Sequence, residues 1–307
     1  MGMASLSRLL LLAALWGGSF LFMRIAAPTL GALPTAFGRV ALGAAGLLGL
    51  IALLRVRLSF KGKLAATMML GVINSGLPFL LFALAARVLP AGYSAILNAS
   101  TPLMGVLIGA AAFGERITAN KLAGVLIGLA GVAVLTRTGP AAGPEALWGV
   151  AACLTATACY GLAGFLTRRW IADRGGLDSR VVALGSQLGA VVLLLPFMAW
   201  QASAQPLRWP AAGAEVWLAM LALGLLCTSL AYILYFRLIA DVGPLKALTV
   251  TFLIPPFGIF WSWLALGETA TLSQALGGGL IALALWLVLR PEAPAARAAA
   301  SDEDWSI

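Results

Sequence analysis

Ten apolar stretches, each about 20 residues long, constrain the fold of this chain more than any other feature of its sequence. A helix rises about 1.5 Å per residue and the hydrocarbon core of a bilayer is about 30 Å thick, so each stretch can cross a membrane as one helix. The stretches lie near residues 8–27, 34–54, 64–86, 91–113, 119–137, 146–168, 180–200, 214–237, 243–265 and 271–290. We therefore predict an all-α polytopic membrane protein with ten transmembrane helices.

The composition excludes a water-soluble domain. Of 307 residues, 62% are hydrophobic and 10% are charged, whereas a soluble domain carries roughly 25% charged residues. The mean hydropathy of +1.00 leads to the same conclusion. Three cysteines, Cys153, Cys159 and Cys227, lie within apolar runs. They indicate neither a disulfide framework nor a metal site, and we expect them to be small core residues.

The distribution of basic residues predicts the orientation of the chain. Of the Lys and Arg residues, 15 fall on one side of the predicted membrane and four on the other, and Arg39 lies inside the second stretch. Cytoplasmic loops carry the excess of Lys and Arg in membrane proteins, so both termini are expected in the cytoplasm. The larger group is Arg8, Arg55, Arg57, Lys61, Lys63, Arg116, Lys121, Arg168, Arg169, Arg174, Arg180, Arg237, Lys246, Arg290 and Arg297, and the smaller group is Arg24, Arg87, Arg137 and Arg208. This asymmetry accounts for the pI near 10.2 without a nucleic-acid partner.

The two halves of the chain repeat one another. Pro102 and Glu115 have the same spacing as Pro255 and Glu268, and a shift of 153 residues carries the first pair onto the second. Nearer the N-terminus, a shift of 144 residues places Trp16 over Tyr160. Because five helices is an odd number, the second half must enter the membrane from the opposite side.

We therefore predict a first repeat over residues 1–142, a second, inverted repeat over 143–292, and a disordered cytoplasmic tail over 293–307, which is rich in Ala and Pro and then acidic. Inverted repeats are characteristic of secondary transporters, in which two related halves open one central site to either side in turn. The alternative is a gene duplication that serves only to build a stable bundle.

The segment "ALWGGSFLFMR", the two Pro…Gly-Glu signatures and the two five-helix halves are similar to the EamA family of the drug/metabolite transporter superfamily. Within that family the chain resembles YddG-type exporters of aromatic and other amino acids. The resemblance covers about residues 8–290. It implies a bacterial inner-membrane exporter with ten helices and a central cavity between its halves, and it implies amino acids as substrates.

Polar and aromatic residues in the middle of the stretches are the candidates for the cavity. Polar groups at membrane depth are costly and are often functional, and aromatic faces can stack on an apolar or aromatic side chain. An uncharged lining suits a zwitterion or a neutral metabolite. Interhelical hydrogen bonding is the alternative role for each Ser and Thr. The candidates are Trp16, Ser19, Asn74, Phe79, Asn98, Ser100, Tyr160, Thr228, Tyr232 and Thr251.

Four prolines are candidates for hinges or gates. Proline removes a backbone donor and kinks a helix, and the alternative is a static bend needed for packing. These residues are Pro78, Pro102, Pro255 and Pro256, which we expect to interrupt helices three, four and nine.

We assign structural roles to the charged residues near the ends of the apolar stretches. Glu115 and Glu268 each begin a helix, where the helix dipole stabilises a negative charge, so we expect a capping role and no proton transfer. Thr271 and Gln274 fit a capping box. Arg39 lies about one turn inside helix two, and we expect its side chain to extend to the interface. The alternative for Arg39 is to attract a carboxylate at the outer mouth.

These features predict a secondary transporter that exports small amphipathic metabolites, above all amino acids, without a cofactor, a metal ion or a nucleic-acid partner. The open alternatives are export of drugs or other metabolites and a membrane scaffold without transport. Nucleotide sugars are disfavoured because their phosphates need several cationic groups. An enzyme is not expected, since the chain has no His and no H-E-x-x-H or G-x-S-x-G motif. We expect a monomer or a weak homodimer whose partners are a small molecule and the lipid bilayer.

Overall fold

The computed structural model describes residues 2–137, 143–204, 209, 212–242 and 249–289. This part of the chain is helical and contains no strand. The predicted tail over 293–307 and the predicted end of the second repeat at 292 lie outside the described residues. The same is true of four basic residues counted above, namely Arg208, Lys246, Arg290 and Arg297.

A helical segment coincides with each of the ten predicted stretches, and we call these segments spans. Spans 1 to 5 are Met3–Leu30, Ala32–Leu53, Leu64–Ala85, Ala91–Phe113 and Ala119–Arg137, and spans 6 to 10 are Pro144–Trp170, Ser179–Ala204, 214–242, Val250–Leu266 and Leu272–Leu289. Within the described residues, nine of them are long and apolar enough to cross a membrane, while Val250–Leu266 has 17 residues. The all-helical, multi-pass class is confirmed, and the number of crossings stays a prediction.

Spans 3 and 8 each contain a π-helical segment in the middle. Val72–Gly76 separates two α-helices in span 3, and Ala222–Leu230 does the same in span 8. The shift of 153 residues places the first segment inside the second. In span 8 two side chains follow the π geometry, since the hydroxyls of Thr228 and Ser229 donate to carbonyl oxygens five residues earlier, at distances of 2.9 and 3.2 Å. Segments of this kind occur frequently at functional sites because they displace the helix face.

The prolines have different effects in different spans. Span 4 consists of two helices, Ala91–Asn98 and Thr101–Phe113, and Pro102 is the second residue of the latter. There the missing N–H costs nothing, because the first turn of a helix has no acceptor for it. Pro78 similarly follows the π-helical segment of span 3. The expected interruption at Pro255 and Pro256 is wrong, since span 9 runs through both as one helix.

The packing of the spans follows the repeat. Spans 5 and 10 pack together, as do spans 2 and 7, and each of these pairs maps onto itself when the halves are exchanged. The contact of span 1 with span 9 is matched by that of span 6 with span 4. Span 3 contacts span 7, and span 8 contacts span 2. The two halves therefore interlock and do not form separate bundles.

Glycines allow two of these matched contacts to be unusually close. A Cβ atom at Gly17 would lie 2.9 Å from the backbone nitrogen of Gly258, and a Cβ atom at Gly161 would lie 2.9 Å from the backbone nitrogen of Gly105. Gly17 and Gly161 are repeat partners, as are Gly258 and Gly105. Small residues at such positions let the backbones of membrane helices approach each other.

The two ends of the bundle are packed differently. The larger buried cluster includes Met23, Leu30 and Leu89 and lies toward the end that carries Glu268, which we call the Glu268 end. A smaller cluster, which includes Leu12 and Leu238, lies toward the opposite end, the Glu115 end.

Candidate functional site

A cavity of about 260 Å³ lies between the two halves of the chain. Residues from spans 1, 2, 3, 4, 6, 8 and 9 line it, so both repeats contribute. Nine of the ten residues predicted for the cavity are in its lining: Trp16, Ser19, Asn74, Phe79, Asn98, Tyr160, Thr228, Tyr232 and Thr251. The structure adds Phe20, Met23, Arg39, Phe82, Thr101, Cys227, Tyr235 and Ile254. That any of them contacts a substrate stays a prediction.

Ser100 is the exception among the predicted residues. It is 1% exposed and does not line the cavity. Its hydroxyl donates to the carbonyl oxygen of Leu97 at 2.7 Å and to the hydroxyl of Thr157 at 3.4 Å. Ser100 lies at the break in span 4, where the turn directs its side chain toward span 6. Its hydroxyl therefore joins helices and is not available to a ligand.

Aromatic rings form the apolar part of the lining. The ring of Phe82 packs edge-on against Phe20 at a centroid distance of 5.3 Å and stacks on Tyr160 at 6.2 Å. Trp16 and Tyr235 form a second pair at 5.3 Å. These contacts fix the orientations of the rings in the folded protein. The rings therefore offer a preorganised apolar surface to a ligand.

Two amides form part of the polar lining. The side chains of Asn74 and Asn98 reach the cavity, and neither forms a hydrogen bond with another residue in the described ranges. Asn74 lies in the π-helical segment of span 3, and Asn98 ends the first helix of span 4. Both amides therefore lie where the regular α-helix of their span is interrupted. Each offers two N–H donors and one carbonyl acceptor to a molecule in the cavity.

Arg39 does not extend to the membrane interface, and that prediction is wrong. Its side chain is buried, with 6% exposure, and it lines the cavity. Nε donates to the Thr228 hydroxyl at 3.3 Å, Nη1 approaches the sulfur of Met23 at 3.6 Å, and the guanidinium carbon lies 3.6 Å from the centre of the Phe79 ring. The cavity lining therefore includes a charged residue, and the expectation of an uncharged lining is also wrong.

A stripe of polar and small residues along span 2 could have revealed this burial. Thr35, Arg39, Gly43 and Gly46 recur at intervals of three or four residues, so they share one face of the helix. The structure turns that face toward span 8, where Ser229 donates to the carbonyl oxygen of Gly43 at 3.0 Å. Depth along a helix suggests an interfacial position for Arg39, whereas the face on which it lies indicates burial.

Behind the cavity wall lies a polar cluster that sequence reasoning also missed. Gln187 is fully buried and donates to the Ser75 hydroxyl at 3.0 Å, while its carbonyl oxygen has no partner among the described residues. Ser75 is also within 3.3 Å of the Ser186 hydroxyl and is hydrogen-bonded to Tyr232. This cluster fixes the cavity residue Tyr232 from behind.

Glu268 caps a different helix from the one expected. Its carboxylate accepts a hydrogen bond from the backbone N–H of Ala91, the first residue of span 4, at 3.1 Å. Arg24 of span 1 donates to the same carboxylate at 3.4 Å and to the carbonyl oxygen of Ala86 at 2.9 Å.

The start of span 10 is capped instead by Thr271 and Gln274, as expected. The N–H of Thr271 donates to the Gln274 side chain at 2.9 Å, and the N–H of Gln274 donates to the Thr271 hydroxyl at 3.2 Å.

The repeat partners of this network are arranged differently. Glu115 is exposed, and Arg168, the partner of Arg24, lies 3.9 Å from Asp173 on its own side of the bundle. Glu268 and Arg24 are thus joined in this structure, while Glu115 and Arg168 are not. The Glu115 end is connected by other contacts, including the Arg8–Asp241 ion pair.

Membrane-length helices packed around a cavity with polar and aromatic walls define a multi-pass membrane protein of the transporter type. The model of the EamA-like transporter family matches residues 4–137 and again residues 147–290, so the chain belongs to this family and contains its repeat twice. Members of this family are transporters, and the chain is not an enzyme.

Individual relatives agree with this assignment. The chain is 27% identical over 202 residues to a probable terminal-alkyne amino-acid exporter of Streptantibioticus cattleyicolor, a match that covers 66% of this chain and 65% of that protein. It is 30% identical over 245 residues to the uncharacterized transporter YvbV of Bacillus subtilis, covering 79% and 77% of the two chains. A crystal structure superposes with a TM-score of 0.63 over 94% of this chain and 98% of the other, at 21% identity. That last likeness concerns the fold alone.

Proposed function

We propose that this protein exports small amphipathic metabolites, above all amino acids, through the cavity between its two repeats. The observation that carries the proposal is the composition of the cavity wall. Two amides of the first half, which have no hydrogen-bond partner among the described residues, and ordered aromatic rings from both halves face one space. A molecule with a polar head and an apolar side chain matches both kinds of surface. A relative that is named a probable amino-acid exporter supports the same class of substrate.

The cavity has room for a small metabolite and lies near the lower limit of the pockets that hold drug-sized ligands. Pockets for drug-sized ligands measure roughly 300–1,000 Å³, and this one measures about 260 Å³. Export of drugs or other metabolites of the superfamily is the competing function. A scaffold without transport gives no reason for two amides at membrane depth that have no side-chain partner in the described part of the chain.

Ten spans in two inverted halves, in the bacterial cytoplasmic membrane and with both termini in the cytoplasm, are part of the proposal. The excess of Lys and Arg at the Glu115 end supports this orientation. It makes the Glu268 end the outer one. The repeat boundaries at 1–142 and 143–292, and a monomer or weak homodimer as the working unit, remain predictions.

We infer alternating access from the difference between the two ends. In this structure Arg24 pairs with Glu268, and Glu268 caps the start of span 4. We infer that these contacts close the outer end. In the opposite conformation the repeat partners, Arg168 and Glu115, would be joined at the inner end while the outer network separates. We propose as hinges Pro102, at the break in span 4, and Pro78, after the π-helical segment of span 3. In span 9 we propose Pro255, the repeat partner of Pro102, and its neighbour Pro256. The charged residues move as latches and do not carry protons.

Counterflow in proteoliposomes tests the function. Vesicles are loaded with one unlabelled amino acid, and uptake of its labelled form is followed without an imposed gradient. We expect transient accumulation, which Trp16→Ala abolishes and which Trp200→Ala, a change at a side chain that is 72% exposed, leaves intact. Folded wild-type protein that exchanges no amino acid would contradict the amino-acid assignment.

A further inference from the structure

The cavity contains a positive charge that no described carboxylate neutralises. Arg39 is 6% exposed, and the ion pairs among the described residues involve other cations. An unpaired charge at membrane depth is costly. The cost indicates that something other than the protein satisfies this guanidinium during part of its cycle.

The neighbours of Arg39 fix its position and leave donors free. Its three contacts, with a hydroxyl, a thioether and an aromatic ring, carry no net charge. A guanidinium has five N–H donors, and these contacts occupy Nε and Nη1. Nη2 has no partner among the described residues. The two N–H groups of Nη2 and the second N–H group of Nη1 can donate to the oxygens of a carboxylate.

We propose that Arg39 binds the carboxylate of the transported molecule, so that the protein selects substrates that carry a carboxylate and rejects organic cations. This inference rests on the proposed transport function and assigns an orientation to the substrate. The carboxylate lies at Arg39, beside Phe79 and Thr228, and the apolar part lies along the rings of Phe82 and Tyr160. An ammonium group, where the substrate has one, has the carbonyl oxygens of Asn74 and Asn98 as acceptors.

A single guanidinium in a small cavity favours a carboxylate over a phosphate. Phosphate monoesters carry close to two negative charges near neutral pH and would leave part of that charge unpaired here. The charge also lies in one repeat only, since the shift of 144 residues places Ala183 at the position that corresponds to Arg39. Packing that both halves share therefore does not require it.

Competition on the wild-type protein provides the first test. Exchange of a labelled amino acid is measured against its unlabelled form, its carboxamide, its decarboxylated amine and its phosphonate analogue. We expect the amide and the amine to compete at least about tenfold more weakly than the acid, which corresponds to about 1.4 kcal/mol at 25 °C. Equal competition by acid and amide, or stronger competition by the phosphonate, would overturn the proposal.

Substitutions at Arg39 distinguish recognition of the carboxylate from a purely structural role of this residue. If Arg39 binds the carboxylate, Arg39→Gln should reduce the acid-to-amide preference to near one, and Arg39→Lys should retain part of it. A residue that only braces spans 1, 3 and 8 would weaken both ligands equally and leave the ratio unchanged, which would refute the role. Arg169→Gln, at an exposed position, is the matched control.

Thermal stabilisation of purified wild-type protein by the same four compounds distinguishes failure of this proposal from failure of transport. Binding that prefers the acid, without exchange, would support the Arg39 site and contradict the transport function. Exchange or binding without that preference would contradict the Arg39 site alone. If neither occurs with any of the four compounds, the carboxylate proposal is rejected.

Discussion

Residues in the middle of the spans could be identified from sequence by type and depth. Asn74 and Asn98 could be predicted in this way because an amide at membrane depth has few uses other than hydrogen bonding. Type and depth do not assign Ser100 and Arg39, because their roles depend on the direction in which the helix presents them. For Arg39 the polar and small face of span 2 contains that information, and for Ser100 no such pattern exists. At Ser100 the break in span 4 sets that direction, and at Arg39 the contact with span 8 does.

At this scale we expect Asn98→Ala to weaken substrate exchange. Loss of one neutral hydrogen bond, which contributes about 0.5–1.5 kcal/mol, should raise the half-saturating concentration about twofold to tenfold. Counterflow at graded substrate concentrations measures this. Asn120→Ala, which removes an exposed amide at the start of span 5, is the control. An unchanged half-saturating concentration in Asn98→Ala would remove this amide from the binding site.

At the scale of elements, the positions of the spans follow from hydrophobicity, and their irregular segments do not. The predicted ends of spans 3, 4 and 5 lie within about one residue of those in the structure, because the width of the bilayer sets the length of an apolar helix. The π-helical segments of spans 3 and 8 have no such signal. In span 8 the hydroxyl of Thr228 bonds within the helix, whereas in span 3 the hydroxyl of Ser75 bonds to Gln187 of span 7. These contacts form only in the folded protein.

The close contact between spans 6 and 4 predicts a specific loss of stability. Gly161→Ala should lower the free energy of unfolding by about 1–3 kcal/mol, because its Cβ atom would lie 2.9 Å from the Gly105 nitrogen and overpacking costs that much. Gly164→Ala, in the same helix with open space around the added atom, should be neutral or stabilising. Thermal unfolding in detergent compares the two. Equal melting temperatures would show that the spans do not pack this closely.

At the scale of the whole molecule, the repeat could be predicted because the shifts of 153 and 144 residues align chemically similar positions. Two separate matches to the family model confirm it, and the packing of the spans follows the same exchange of halves. The difference between the two ends could not be predicted. Glu115 and Glu268 occupy equivalent positions in the two repeats. In this structure Glu268 pairs with Arg24, while Glu115 does not pair with Arg168, the repeat partner of Arg24.

This asymmetry predicts unequal effects of two equivalent substitutions. Glu268→Gln should open the Glu268 end more often, because it weakens the contacts with Arg24 and with the start of span 4. Glu115→Gln should open the Glu268 end less often, because it weakens the contact with Arg168 that we propose for the conformation open at that end. Labelling of the cavity from the Glu268 end by a membrane-impermeant thiol reagent measures both, and we expect an increase of about threefold or more for Glu268→Gln, on the scale of one charge-assisted hydrogen bond. Equal labelling of the two variants would contradict the latch.

The most direct test places a thiol at Thr101, a half-buried residue of the cavity lining, by the substitution Thr101→Cys in protein that also carries Cys153→Ser, Cys159→Ser and Cys227→Ser. Reconstituted vesicles of known orientation are treated with an impermeant maleimide from one face and then, in a separate sample, from the other. A carrier whose central cavity opens to each side in turn predicts labelling from both faces and protection by a transported amino acid. Labelling from one face only, unchanged by any substrate that exchanges, would contradict alternating access through this cavity.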